Sequence, residues 1–371
     1  MKRLNLVMVI YSLLVIGVIS CSSKNPAEPE PVFNSFQEKV EYLIESNFKT
    51  GGVAIGIIKG DEEFTFFHGR KSKNSSSVPD GNSIFELGSI TKTFTATILA
   101  DFVLNGTIEL DDEVQDYLPS ESVTLPSFNG SNITFMHIAT HTSGLPTNFS
   151  DNYPRPAGSP PEDPFALMTE EHVYDYLSNY ASLISEPGTQ YKYSNFGYGF
   201  LGLILSKINN TSFEDLLSTK ILNVLGMDRT SYTLSEEQLT NVAVGHNSSL
   251  EEVEPWGTNH VLIGCGGLKS TLNDMLIYLK ANMGIQQTQL SAAMTYAQEV
   301  YFDNYICLGW QKRALSDGQV ITWFAGASAG HIAFIGFNEN YSNGVVVLYN
   351  IGQNMLADEV GNKILEAAVK Y

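Results

Sequence analysis

Apolar and polar positions follow two rhythms along this chain, and the rhythms separate its ends from its middle. Ser35-Phe36-Gln37-Glu38 has the form of a capping box. Phe36, Val40, Leu43 and Ile44 then recur at helical spacing, so a helix is predicted there. Val53–Ile58 and Phe64–Phe67, separated by Lys59-Gly60-Asp61, read as a strand hairpin. A second hairpin is predicted from Ile332–Phe337 and Val345–Tyr349, with Asn343-Gly344 as its turn. Leu356, Val360, Ile364 and Ala367 mark a further helix. Between these ends the spacing is mostly helical, broken by long loops. One of them, Asn148 to Pro164, is rich in Pro, Asn and Ser and is placed to shape access to a site. The fold class that follows is α+β, of the α/β-sandwich type. One antiparallel sheet is built from both chain ends and flanked by helices, and a mostly helical lobe is inserted between roughly residues 90 and 300. A pocket is expected between the two parts. No internal repeat is visible.

The first residues belong to a different regime. Met1-Lys2-Arg3, the apolar run Leu4 to Ile19 and then Ser20-Cys21 read as a signal peptide, residues 1–20. The run is short for a membrane span. Val18-Ile19-Ser20-Cys21 resembles a bacterial lipobox, which implies lipidation of Cys21 and attachment to a membrane through that lipid. Residues 21–34 lack an apolar period and suit a tether. The domain proper is expected over residues 35–371, in a bacterial cell envelope. The formal charge of −19 argues against nucleic acid or an anionic membrane face as a partner. Of the three cysteines, Cys265 and Cys307 sit in apolar or Gly-rich runs, where a free thiol behaves as a small hydrophobe; a disulfide between them is the alternative.

Chemistry enters at Gly88-Ser89-Ile90-Thr91-Lys92, followed by the apolar stretch Phe94 to Val103. Three residues apart on a helix, Ser89 and Lys92 share a face, so the amine reaches the hydroxyl. The Ser89 N–H points out of the helix N-terminus, where negative charge is stabilised. A nucleophile, a proton acceptor and half of an oxyanion hole thus fall within four residues. Tyr193-Ser194-Asn195 follows Glu186-Pro187-Gly188-Thr189 and precedes an apolar helix, a place suited to presenting side chains. Tyr341-Ser342-Asn343 has the same pattern but lies in the second hairpin and reads as structural. His137 and His141 are four apart and would share a helix face. They lack a third ligand, so metal is not expected; His141 reads instead as a helix-end residue facing free carbonyls. No G-x-S-x-G surrounds Ser89 or Ser143.

Taken together, Phe85 to Lys92, Ile138 to Pro146, Pro187-Gly188-Thr189 with Tyr193-Ser194-Asn195, and Gly266 to Thr271 resemble, in order and spacing, the serine β-lactamases and penicillin-binding proteins of the class C type. The resemblance runs from about Ser35 onward. It implies the same two-part architecture and an acyl-enzyme on Ser89. Lys92 and Tyr193 would relay its proton, and Asn195 would bond Lys92 or the substrate. The N–H groups of Ser89 and Ala327 would form the oxyanion hole. No cofactor is implied, and the partner is a small-molecule or peptide substrate. One motif departs from the pattern. The family carries Lys or His, a small polar residue and Gly on a strand; by register with Gly330 and Phe334–Phe337, that substrate-binding triplet is Phe324-Ala325-Gly326 here. A phenyl ring replaces the cation that usually helps recognise a substrate carboxylate. His331 and Lys269 are the cations to test as substitutes. His331, an odd number of residues from Phe324 in one strand, would face away and be structural. The expected activity is an envelope-anchored serine hydrolase acting on D-alanyl peptides, esters or β-lactams. The alternative is a non-catalytic peptidoglycan- or glycan-binding lipoprotein with the same fold.

Overall fold

The computed structural model describes residues 31–371 apart from 120–122, 151, 161–162, 164, 339–341 and 353–355. Cys21 and the leader lie outside the described residues. Ser35–Tyr371 forms one compact unit.

The strands in chain order are β1 (Gly52–Lys59), β2 (Glu62–Gly69), β3 (Ile84–Glu86), β4 (His246–Asn247), β5 (Lys269–Thr271), β6 (Gln311–Ala314), β7 (Val320–Ala327), β8 (Ile332–Asn338), β9 (Asn343–Tyr349) and β10 (Ile351–Gly352). Six of them form an antiparallel sheet in the order β2-β1-β9-β8-β7-β6. Both chain ends build it, as expected: β1 from the first hairpin pairs with β9 from the second, Val53 opposite Tyr349.

Alternation along these strands sorts the core into two layers. Val53, Ile55, Ile57, Val345 and Val347 pack with helices Phe36–Asn47 and Leu356–Lys370. Ala54, Ile58, Val346 and Leu348 face the other way and share one core with helices Thr91–Leu104 and Asn195–Ile208. The helical stretch between residues 91 and 297 therefore grips the sheet through a continuous apolar contact. Ser35 caps the first helix, its Oγ accepting from Glu38 N at 3.2 Å.

The second hairpin is present, but its turn is not Asn343-Gly344. Asn343 opens β9 opposite Asn338, and Gly344 pairs with Phe337. The glycine is demanded by packing instead of by a turn. A Cβ on Gly344 would lie 2.6 Å from Met283 Sδ and 3.0 Å from Leu279 Cδ1, where helix Leu272–Asn282 and its cap cross the sheet.

Candidate active site

Ser89 stands on a single tight turn, Gly88–Ile90, that runs directly into helix Thr91–Leu104. Two glycines let this turn meet the end of β7. Gly88 has φ +52°, and a Cβ there would lie 2.6 Å from Ala327 N. A Cβ on Gly326 would lie 2.0 Å from Leu87 O and 2.8 Å from Ser89 N. Backbone thus packs on backbone, and the peptide groups of Ser89 and Ala327 come together without a side chain between them. Two N–H groups in that relation can stabilise an oxyanion on a carbonyl attacked by Ser89.

One turn along the helix, Lys92 is fully buried and its Nζ donates three hydrogen bonds: to Ser89 Oγ at 3.0 Å, Asn195 Oδ1 at 2.9 Å and Cys265 O at 2.6 Å. The Tyr193 hydroxyl donates to Ser89 Oγ at 2.7 Å. The ammonium also lies 5.0 Å from the Tyr193 ring centre and 6.0 Å from that of Tyr198. The four side chains picked out of the sequence therefore form one network: Lys92 and Tyr193 meet at Ser89 Oγ, and Asn195 holds the Lys92 amine.

Tyr193 and Asn195 are held by the residue between them. Ser194 caps helix Asn195–Ile208, its Oγ accepting from Gly197 N at 2.8 Å and donating to Pro146 O at 2.6 Å. Its own N–H donates to His141 Nδ1 at 3.1 Å. The stretch Ile138–Pro146 is thus the backing plate for Tyr193-Ser194-Asn195.

Electrostatics assigns the protons. Burial lowers the Lys92 ammonium to about 8, against an ordinary value of 10.5. Burial raises the Tyr193 phenol, outweighing the hydrogen bond to Ser89 that favours its anion. The phenol therefore stays protonated near neutral pH, and the amine is the group able to give up a proton there. A neutral Lys92 is placed to accept the Ser89 proton, and Tyr193 to hand a proton onward to a leaving group.

Residues 39–369 match the model of the family described as Beta-lactamase. The chain belongs to the β-lactamase family. As a member it is a serine hydrolase, and Ser89 is the candidate nucleophile that the geometry offers. Among its relatives, the D-alanyl-D-alanine-carboxypeptidase/endopeptidase AmpH of Escherichia coli K12 is 29% identical over 270 residues, covering 72% of this chain and 67% of the relative. A β-lactamase of the same organism is 27% identical over 301 residues, covering 79% and 74%. A β-lactamase/D-alanine carboxypeptidase from Yersinia pestis, complexed with citrate, superposes with a TM-score of 0.78 at 23% identity over 90% of this chain and 98% of its own. A class C β-lactamase from Rhodobacter sphaeroides gives 0.75 at 24%, over 91% and 99%.

The third β-lactamase-family motif is split by the structure. Phe324 and Gly326 point to the helical side of the sheet, whereas Ala325 packs with the layer of helices Phe36–Asn47 and Leu356–Lys370. Ala325 is thereby removed from the substrate-binding set. Phe324 is only 5% exposed and belongs to the core that runs under the helices. At the position where the resemblance places a cation it contributes packing, and it presents little surface to a ligand. Gly326 keeps its role as the point of backbone contact.

The two substitute cations are also engaged elsewhere. His331 is not in one strand with Phe324: β7 ends at Ala327, and His331 lies in the turn before β8. Its Nδ1 pairs with Glu86 Oε2 at 3.2 Å and its Nε2 with Ala243 O at 2.8 Å, a structural role for a reason other than strand parity. Lys269 Nζ donates to Tyr232 O at 3.2 Å and Gly267 O at 3.3 Å. His141 lies beyond helix Phe135–Ala139 at φ +58°, so it shares no helix face with His137 and accepts an N–H rather than meeting free carbonyls. Cys265 and Cys307 are both buried and no disulfide joins them; their thiols donate to Leu262 O at 3.2 Å and Gln298 O at 3.3 Å.

Sequence reasoning missed the Cys265 carbonyl, since a main-chain acceptor leaves no mark on residue type. It also missed the service of His141 to Ser194 and the approach of Asn148 Oδ1 to Asn195 Nδ2 at 3.4 Å. The stretch Ile138–Pro146 was the signal for the histidine; the loop position of Asn148 was the signal for the other.

Proposed function

We propose that this protein is an envelope-anchored serine hydrolase that forms an acyl-enzyme on Ser89 with a peptide, ester or β-lactam-like carbonyl. The observation that carries the reading is the Ser89 hydroxyl held by both the buried Lys92 amine and the Tyr193 phenol. Lys92 takes the proton as Ser89 attacks. The Ser89 and Ala327 N–H groups hold the oxyanion, and Tyr193 protonates the leaving group. Asn195 fixes the amine and faces the acyl chain, and water completes the cycle. The lipid on Cys21 anchors the enzyme.

Substrate choice follows from Phe324. A phenyl ring cannot donate a charge-assisted hydrogen bond, and such a bond contributes about 1.5–3 kcal/mol to recognition of a carboxylate. The favoured substrates are therefore esters or peptides without a carboxylate at that subsite, and β-lactam turnover is slow. Phe324→Lys should raise kcat/KM for carboxylate-bearing substrates relative to neutral esters. No gain, in a variant that remains folded, removes this part of the reading.

The main test treats the full chain with a fluorescent penicillin and, in parallel, with p-nitrophenyl acetate and butyrate, followed by intact-mass spectrometry of wild type and Ser89→Ala. Adducts or turnover that depend on Ser89 are expected. Ester turnover without a penicillin adduct marks the esterase-like branch. Silence in every assay, with retained ligand binding in Ser89→Ala, would favour the non-catalytic lipoprotein.

A further inference from the structure

The two N–H groups assigned to the oxyanion belong to segments far apart in the chain. Ser89 lies just beyond Glu86, the last residue of β3, and Ala327 is the last residue of β7. β6 pairs with β7 only as far as Trp323, so within the sheet the end of β7 is paired on one side, by β8. Among the described residues, no backbone hydrogen bond joins residues 87–90 to 326–328. The glycines at 88 and 326 set how near the two segments come. Such contact does not stop one segment from sliding along the other or lifting away from it.

A buried carboxylate ties them. Glu86 is 5% exposed, and its Oε2 accepts from the Oγ of Ser328, the residue after Ala327, at 2.7 Å. Ser328 Oγ in turn accepts from His331 N at 3.2 Å, so the hydroxyl uses both its donor and an acceptor site. His331 Nδ1 meets the same Oε2 at 3.2 Å, and Ser328 N donates to His331 O at 2.9 Å, which closes the turn after β7 on itself. The other end of the tie is anchored in the β3–β5 ladder, where Glu86 lies opposite Lys269 and Leu87 N donates to Leu268 O at 2.9 Å. Burial works to raise the Glu86 carboxyl. The bond and charge of His331, the Ser328 hydroxyl and the charge of Lys269 outweigh it and hold the group below its ordinary value, so it is an anion and a strong acceptor. Its Oε1 is buried with no partner. A buried anion with an unmet oxygen costs stability, and so calls for an explanation other than stability. What it supplies is a short, directional link from the strand before the nucleophile to the strand end that carries the second N–H.

We propose that Glu86 and Ser328 are positioning residues for the oxyanion hole, the bond between them fixing the Ala327 N–H relative to the Ser89 N–H. The inference rests on the reading of Ser89 as nucleophile and of those two N–H groups as its oxyanion donors. Both side chains act through the backbone: the carboxylate holds Ser328, and Ser328 holds the end of β7.

The test uses the full chain in mild detergent, with p-nitrophenyl butyrate as substrate and phenylboronic acid as a probe of the oxyanion hole. Ser89 Oγ adds to boron, its proton passes to Lys92, and the boronate formed is tetrahedral and anionic, as the transition state is. Ser328→Ala should lower kcat by about tenfold, short of the roughly 10²–10³ that loss of a whole oxyanion donor costs, and should weaken phenylboronic acid by a similar factor while KM holds. Ser328→Thr, which keeps the hydroxyl, should recover both losses. A residue serving stability alone would lower Tm and the yield of active enzyme but leave the boronate affinity of the folded fraction untouched. If Ser328→Ala does not fold, as judged by its Tm, Ser328→Cys carries the comparison, because a thiol is a weak donor. Turnover and boronate affinity in Ser328→Ala equal to those of wild type overturn the proposal and leave the Ser89 reading standing. A wild type that neither hydrolyses the ester nor takes up the boronate in a Ser89-dependent way overturns both.

Discussion

At the scale of single residues, Lys92 concentrates the physics of the site. It is buried, yet three acceptors surround its amine, so the protein supports the charge by hydrogen bonding while burial works against it. Acylation by the neutral amine should therefore rise with pH through about 8 and then level off. A pH profile of kcat/KM on a neutral ester checks this; a flat profile from pH 6 to 9 contradicts the assignment of Lys92 as base. The same depression has a thermodynamic face. The folded value is lower than the unfolded one, so between about 8 and 10.5 the unfolded chain holds a proton that the folded chain does not, and stability rises with pH. The penalty is full below that window and gone above it. Relative to Lys92→Met, wild type should gain about 3 kcal/mol across it, since a tenfold change in a proton-binding equilibrium is worth about 1.36 kcal/mol. Denaturant titrations of both proteins at pH 7 and pH 10.5 measure the change. Tyr193→Phe should lose roughly 10²–10⁴ in kcat with little change in Tm, because it deletes a proton relay and leaves the ring in place.

At the scale of elements, the site depends on a turn and a strand end pressed together through glycine. Gly326→Ala would drive a methyl group into Leu87 O and Ser89 N, backbone atoms that cannot swing aside. A stability loss of about 1–3 kcal/mol is expected from such overpacking. Ser89 labelling should fall far more than stability does, since the oxyanion donors would be spread apart; thermal melting and penicillin or ester acylation rates separate the two effects. Most of this arrangement was legible in the sequence. The nucleophile turn, the helix after Tyr193-Ser194-Asn195, both hairpins and the sheet from both ends follow from periodicity and local caps. What was illegible has a common cause: it depends on what packs opposite. Asn343-Gly344 carries a turn signature, but helix Leu272–Asn282 requires that glycine inside the strand. Phe324-Ala325-Gly326 is one motif by sequence, yet the pleat sends its middle residue to the opposite core. His331 is decided by Glu86, a partner 245 residues away.

At the scale of the whole molecule, the formal charge of −19 and the proposed lipid act together. A surface this acidic is repelled by anionic headgroups, so attachment should rest on the acyl chains alone. Cys21→Ala should move the protein from the membrane to the soluble fraction, and high salt should not release wild type. Salt release of wild type would show an electrostatic contact instead. The sheet itself sets an order of events. Val53 of β1 waits for Tyr349 of β9, and Ser89 waits for Ala327, so the contacts that complete both core and site join segments far apart in the chain. Until β9 is available β1 has only β2 beside it, and a lone hairpin is marginal in water. Synthesis therefore yields a long-lived open chain, slow to close because its pairings are non-local. Under the proposed envelope anchoring, such an open chain is threadable through a narrow export pore, and it carries no working nucleophile before it closes.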